Sequence, residues 1–309
     1  MLLDSLLKIN TASGSTEKIN EIIKNELSGI ADNVFTDNMG NLVVQIGDAK
    51  KPAVSIFAPA DKPALTVTYI EENGCVRVHP IGNVDLRSYL YSGVTNGTLC
   101  GIFYPDSSDT DNFSSTHVNF GFKDGIKARS YVGEGDTLFF ETSSVSLQNG
   151  FISGAGLSSV SLAYACCMIA KKFTRSDDYC YYFIFTSQDS LQHRSVCTAT
   201  FEVKPEIAIC LESYEGKEIA LKVADRTLVA NSKISEKLAE SAGAVEINFK
   251  KQVFAEETGY AGRVQSSYTG VKTGAVLLPV SHLNSAQEIV NIADVENLCK
   301  IITHFLSNI

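Results

Sequence analysis

The stretch Val54–Ile81 constrains the fold more than any other part of the chain. It begins with an apolar run rich in β-branched residues, Val54–Ala58, which is typical of a buried strand. The segment Pro59–Pro63 ends this strand, because its two prolines lack backbone donors. A second strand is predicted at Ala64–Ile70, before a turn with Asn-Gly at its tip. Ligands of open α/β sheets gather at the carboxyl ends of strands, so Asp61 marks a candidate site.

The segment 73–152 has a different texture from the rest of the chain. Its short alternating strands, one of them predicted at Arg87–Tyr91, are separated by Gly, Asn, Asp and Ser, a pattern that indicates a small β-barrel or sandwich. On either side, helices and buried strands alternate, which predicts a layered α/β sheet with helices on both faces. We therefore expect residues 1–72 and 153–309 to form one α/β domain, with residues 73–152 inserted as a β-barrel domain.

Apolar periodicity locates the main elements of the second α/β segment. Helices are predicted at Leu157–Phe173, Leu228–Ala242 and Ala286–Leu306. Buried strands are predicted at Tyr181–Thr186, Ile207–Leu211 and Ala275–Leu278.

Composition excludes several classes of function. The net charge of −9 argues against a nucleic-acid partner, because a phosphate-binding surface needs a basic excess. No apolar run approaches about 18 residues, so we expect no membrane span. The first residues lack the basic and apolar regions of a secretory signal. Eight cysteines occur without a Cys-x-x-Cys pair, which is typical of reduced thiols in a cytoplasmic protein.

Five separated segments resemble one family over nearly the whole chain. They are Asp37–Leu42, Val67–Gly74, Val132–Asp136, Thr186–Asp189 and Pro279–Glu288. Together they are similar to the motifs of the glutamyl aminopeptidase and tetrahedral aminopeptidase family of dinuclear metallopeptidases, some members of which carry an endoglucanase label. The resemblance implies an aminopeptidase-like α/β domain with an inserted barrel, and self-association into dimers or larger particles.

The family's chemistry uses two divalent metals, zinc or cobalt, whose bridging hydroxide attacks the scissile carbonyl. At the matched positions most ligands are replaced: a His by Pro59, the bridging Asp by Leu157, a Glu by Ser190 and the last His by Asn284. Asp61 and Glu212 keep a carboxylate, and Asp189 stands at the general-base position. The resemblance thus implies a degenerate member with a remnant pocket, and we expect no metal cofactor.

Two weaker sites remain open in this pocket. Asp61, Glu212 and His282 could hold a cation that prefers oxygen ligands. The three carboxylates of Asp61, Asp189 and Glu212, with His193, could do the same. Ser190 and His193 also follow Asp189 closely in the sequence, which suggests a Ser/His/Asp group for nucleophilic catalysis. Neighbours on one turn, however, rarely reach the geometry that a catalytic triad requires.

The sequence therefore predicts a catalytically inactive homologue of a metal-dependent aminopeptidase. It would act as a peptide-binding, partner-binding or structural subunit, either with copies of itself or with an active paralogue. The alternative is a hydrolase with a rebuilt, non-standard metal site.

Overall fold

The computed structural model describes residues 2–106, 112–141, 143–256 and 258–309. The helices are α1 (Leu2–Leu7), α2 (Glu17–Leu27), α3 (Leu86–Tyr89), α4 (Gly125–Arg129), α5 (Leu157–Lys172), α6 (Ser195–Val203), α7 (Ser232–Ala244), α8 (Ala261–Ser266) and α9 (Ile292–Ser307). The strands are β1 (Asn33–Thr36), β2 (Leu42–Ile46), β3 (Ala53–Pro59), β4 (Ala64–Ile70), β5 (Val76–Ile81), β6 (Gly93–Thr95), β7 (Cys100–Pro105), β8 (Thr116–Asn119), β9 (Thr137–Phe140), β10 (Val145–Ser146), β11 (Phe151–Gly154), β12 (Cys180–Thr186), β13 (Ile207–Glu215), β14 (Ala220–Ala224), β15 (Lys250–Val253), β16 (Lys272–Val280) and β17 (Glu288–Asn291).

The largest sheet has eight strands in the order β1-β2-β12-β3-β13-β16-β14-β15. Its four central strands, β12, β3, β13 and β16, run parallel, so their carboxyl ends lie at one edge. The antiparallel neighbours β2 and β14 flank this group. Parallel central strands are buried on both faces, which explains the nearly continuous apolar sequences predicted from the chain.

Helices cover both faces of the sheet. Successive residues of strand β12 point to opposite faces of the sheet. On one face, Tyr181, Phe183 and Phe185 pack into a core formed with α1, α2, α5, α7 and α9. The alternate residues Tyr182 and Ile184 pack into a second core with α6 and α8. The prediction of a layered sheet with helices on both faces is confirmed. Among the helices described, none is long and apolar enough to cross a membrane.

A closed barrel in the order β4-β5-β8-β7-β6-β9 forms the second unit. It has its own apolar core, which includes Leu65, Phe103 and Leu138. The predicted inserted barrel is therefore present. It includes the strand Ala64–Ile70, which lies upstream of residue 73, and its last strand ends at Phe140.

Three predicted elements differ in the structure. The segment Arg87–Tyr91 was predicted as a strand but overlaps α3, in which Leu86 and Tyr89 lie one helical turn apart and are both buried. Helix α7 begins after Leu228 because the Asn231 side chain accepts a hydrogen bond from the Ile234 amide and caps it. The third element, α9, begins after strand β17 instead of at residue 286, and Asn291 caps it in the same way.

Candidate functional site

A cleft of about 760 Å³ lies where the central parallel strands end. Strands β12, β3, β13 and β16 end at Thr186, Pro59, Glu215 and Val280, and the loops that follow them form its walls. The lining residues are Pro59, Pro63, Asn83, Ser158, Ser159, Leu162, Asp189, Ser190, Gln192, His193, Glu212, Ser213, Tyr214, Glu215, Phe254, Thr258, Gly259, Tyr260, Arg263, Leu283 and Asn284.

Most residues of the predicted remnant pocket meet in this cleft. Pro59, Ser190, Glu212 and Asn284 line it together with Asp189, which the family resemblance places at the general-base position. These residues come from four separate loops and strand ends, which the parallel arrangement brings to one edge of the sheet.

The other three candidates lie elsewhere. Asp61 and Leu157 are fully buried behind the cleft surface. His282 is exposed, has a φ of 58°, and does not line the cleft. The proposed metal trio of Asp61, Glu212 and His282 is therefore not gathered at the cleft surface.

Asp61 is a buried structural carboxylate in this arrangement. Its oxygens accept hydrogen bonds from the Ser13 hydroxyl, from the Asp189 amide at 3.2 Å and from the Ser190 amide at 2.9 Å. Burial, and secondarily the charge of Asp189, raise the pKa of Asp61 to about 6, although these hydrogen bonds oppose the shift. Asp61 thus fixes the turn that presents Asp189 and Ser190 to the cleft.

Leu157 is the first residue of α5 and belongs to the main apolar core. The next residue, Ser158, donates from its amide at 2.8 Å and from its hydroxyl at 2.9 Å to Glu288. Glu288 also accepts a hydrogen bond from the Asn284 amide at 2.8 Å. This buried carboxylate joins two walls of the cleft, and the sequence interpretation did not identify it.

Asp189 and His193 form a hydrogen-bonded pair at the cleft surface. The distance from Asp189 Oδ1 to His193 Nδ1 is 2.8 Å, and both side chains are partly exposed. The imidazole lies 5.9 Å from the ring of Tyr260, measured between centroids. A carboxylate that orients an imidazole can position it to take up or release a proton.

Glu212 belongs to a buried charge cluster that sequence reasoning also missed. Its Oε2 lies 2.5 Å from the Lys222 Nζ, and the same ammonium lies 2.9 Å from Asp225 Oδ2. Burial raises the pKa of Glu212, opposed by Lys222 and by the Ala261 amide, which donates at 2.8 Å. The available signal was a single lysine inside the apolar strand Ala220–Ala224.

The loop that contains Thr258 and Gly259 packs closely over this charge cluster. Gly259 has a φ of 149°, and a Cβ there would lie 2.4 Å from the carboxyl carbon of Glu212. Thr258 donates from its amide and its hydroxyl to Asp225, each at 3.3 Å. Glycine is therefore required at 259 for both conformation and space.

A dinuclear metal centre does not fit this donor set. At the positions where the family resemblance places metal ligands, the side chains of Pro59 and Leu157 offer no ligand atom, and Ser190 and Asn284 supply neutral groups in place of a carboxylate and an imidazole. The carboxylate of Glu212 is already paired with Lys222. Within residues 2–106, 112–141, 143–256 and 258–309, no three His, Cys, Asp or Glu side chains are grouped to hold a metal ion.

Several known proteins are similar to this chain over nearly its whole length. A protein of Acetivibrio thermocellus that carries a provisional aminopeptidase name is 28% identical, covering 97% of this chain and 96% of the relative. Aminopeptidase APDkam598 from Desulfurococcus kamchatkensis has a similar structure, with a TM-score of 0.93, 19% identity, and coverage of 100% of this chain and 94% of that one.

The Pyrococcus horikoshii TET1 peptidase, which can assemble into a tetrahedron or a large octahedral shell, is also similar, with a TM-score of 0.87 and 21% identity, covering 100% of this chain and 99% of that one. The family profile described as M42 glutamyl aminopeptidase matches residues 40–301, most of the chain. The chain therefore belongs to the M42 glutamyl aminopeptidase family.

Proposed function

We propose that this chain is a non-hydrolysing M42 protein whose cleft binds a peptide or amino acid without metal. The observation that carries the proposal is the composition of the cleft at the positions where the family resemblance places metal ligands. Pro59, Ser190 and Asn284 reach the cleft there, and the carboxylate of Glu212 faces an internal ammonium. The cleft persists while the chemistry needed to activate a metal-bound water is missing.

The cleft has the size and polarity of a small-ligand site. Its volume of about 760 Å³ falls within the range of pockets that hold drug-sized molecules. Leu162 and Phe254 provide apolar surface, whereas Asp189 and Arg263 place opposite charges on its walls. Opposite charges on the walls would attract the free amino and carboxyl groups of an amino acid or short peptide, the ligand class that the relatives' aminopeptidase names suggest.

Binding is tested by thermal shift and calorimetry with amino acids and short peptides in EDTA. Peptides with a free amino terminus should raise the melting temperature, because a ligand that binds only the native state stabilises it. The same peptides after N-acetylation, and the Asp189→Asn variant with the free peptides, provide matched controls and should show little shift. Absence of a shift with every peptide would refute the binding role.

The non-hydrolysing assignment needs its own assay. Aminoacyl-p-nitroanilides are incubated with the protein and added Zn²⁺, Co²⁺ or Mn²⁺, and we expect no turnover above the blank. Metal-dependent turnover that disappears in Asp189→Asn would overturn the assignment.

A hydrolase with a rebuilt site is the second candidate, and the Asp189–His193 hydrogen bond favours it. An oriented imidazole can serve as a general base. This candidate predicts slow hydrolysis of peptide or glycosidic chromogenic substrates that is lost in His193→Gln.

We further propose that the chain self-associates, since the similar Pyrococcus horikoshii TET1 peptidase forms large particles. Light scattering coupled to size-exclusion chromatography measures this directly. A mass equal to one 33.4 kDa chain at micromolar concentration would contradict it.

A further inference from the structure

We propose that the Lys222 ammonium is a built-in cation that takes the place of a metal ion beside Glu212. The inference concerns the charge of the site, and it holds whether or not the cleft hydrolyses its ligand. Lys222 lies 2.5 Å from Glu212 and 2.9 Å from Asp225, in a position where none of its side chain is exposed. It therefore touches Glu212, a carboxylate that the family resemblance places at a metal-ligand position.

The sheet brings Lys222 to this position from a strand that is not adjacent to that of Glu212. Strand β16 lies between β14 and β13 in the sheet order. Lys222 pairs across β14 and β16 with Ala275, and Ala275 pairs in turn with Cys210 on β13. The small side chain of Ala275 leaves space for a long side chain to cross the strand, because directly opposed residues on one face of a sheet lie close together.

Electrostatics make the ammonium a permanent feature of the site. The Lys222 ammonium contacts two carboxylates at once, those of Glu212 and Asp225, and neither it nor Asp225 is exposed to solvent. Asp225 also accepts hydrogen bonds from the amides of Thr227 at 2.8 Å and Thr258 at 3.3 Å. A buried ion pair with these additional hydrogen bonds keeps both charges, whereas removal of one partner leaves an uncompensated charge.

A divalent cation at Glu212 would have to displace or approach this ammonium. Like charges at such distances repel strongly in a medium of low polarity. Gly259 further closes the space over the carboxylate, because even a methyl group there would contact both oxygens at 2.6 Å. Lys222 therefore neutralises Glu212 without any bound ion, and it keeps the site in one charge state independent of metal supply.

The test removes the ammonium in the full-length chain. Lys222→Met keeps the length and apolar stem of the side chain and leaves Glu212 and Asp225 without a cation. The matched control is Lys272→Met, an exposed lysine on β16 that pairs with Glu206 at 2.7 Å. Melting temperature is measured in EDTA and with Zn²⁺, Mn²⁺ or Ca²⁺, and bound metal is counted by elemental analysis.

Lys222→Met should melt lower than Lys272→Met in EDTA and should bind close to one cation per chain. At a cation concentration about a hundredfold above Kd, its melting temperature should rise by roughly 5 °C. The wild type and Lys272→Met should show neither effect. Equal melting of the two variants, with no cation bound to either, would overturn the proposal.

A double variant keeps the proposal testable if Lys222→Met does not fold. Lys222→Met with Glu212→Gln removes one charge of each sign, and Asp225 keeps its hydrogen bonds from the Thr227 and Thr258 amides, so the variant should fold and should bind no metal. Near-stoichiometric zinc or cobalt in the wild type, lost in Glu212→Gln, would show that a metal and not Lys222 is the resident cation. Peptide binding by the wild type in EDTA is measured separately, so failure of that proposal does not affect this one.

Discussion

Replacement of Asp61 by asparagine should remove a pH-dependent loss of stability. The wild-type carboxyl has its pKa raised from 3.8 to about 6 in the folded protein. Between these two values the folded state binds more protons at this position than the unfolded chain, so stability falls as pH rises from about 4 to about 6. Below pH 4 both states are protonated and this loss is absent.

The magnitude follows from the size of the shift. Each unit of pKa corresponds to about 1.36 kcal/mol, so a shift of roughly two units corresponds to a loss of about 3 kcal/mol above pH 6. Asparagine has nearly the same shape as the protonated carboxyl but carries no charge at any pH. The asparagine NH2 cannot accept a hydrogen bond, so the amide of Asp189 or Ser190 loses its acceptor and Asp61→Asn should be about 1–3 kcal/mol less stable than the wild type at pH 4. Relative to the wild type, the free energy of unfolding of the variant should then rise by about 3 kcal/mol between pH 4 and pH 7.

The assay is urea unfolding at pH 4, 5, 6 and 7. The chain contains no tryptophan, so far-UV circular dichroism is the appropriate signal. Asp48→Asn, at an exposed aspartate, is the matched control and should follow the wild-type profile. If the difference between the wild type and Asp61→Asn stays constant from pH 4 to pH 7, the assignment of a raised pKa to Asp61 is wrong.

Two further substitutions test residues that line the cleft, Tyr260 and Gly259. The Tyr260 hydroxyl contacts the carbonyl oxygens of Phe57 at 2.8 Å and Leu211 at 2.6 Å, so Tyr260→Phe should cost about 1–3 kcal/mol in unfolding free energy. A cost below about 0.5 kcal/mol would show that water replaces the hydroxyl. Gly259→Ala should cost on the order of 3 kcal/mol, because its Cβ would lie 2.4 Å from the Glu212 carboxyl carbon at a φ of 149°. A melting temperature equal to that of the wild type would contradict this packing.

Local periodicity is enough to predict much of the fold. The helix predicted at Leu157–Phe173 spans Leu157–Lys172, and the strand predicted at Tyr181–Thr186 spans Cys180–Thr186. Both have long, uninterrupted apolar sequences, so tertiary packing reinforces the local preference. Prediction fails at Arg87–Tyr91, where two buried residues at helical spacing within a short segment were interpreted as strand alternation.

Some residues of the candidate site could be predicted from the sequence, whereas the positions of others became clear only in the structure. The family resemblance identifies Asp189, Ser190, Glu212 and Asn284 as candidate site residues, because the motifs that carry it lie within or just after predicted strands. The burial of Asp61 could not be predicted from the sequence, because one of its hydrogen-bond partners is Ser13, which lies far away in the chain. Whether such a carboxylate faces a ligand or the interior depends on the packing of separate segments.

By itself, the sequence predicts the layered sheet and the inserted barrel, because both depend on local pattern. It also shows which side chains stand at the positions where the family resemblance places metal ligands, because that depends only on residue identity. The tertiary structure alone decides what the retained carboxylates do. Glu212 meets Lys222 only because β16, later in the chain than both, lies between their strands in the sheet. A contact that depends on the order of strands leaves no periodic signal in the chain, and the charge state of this cleft is set by such a contact.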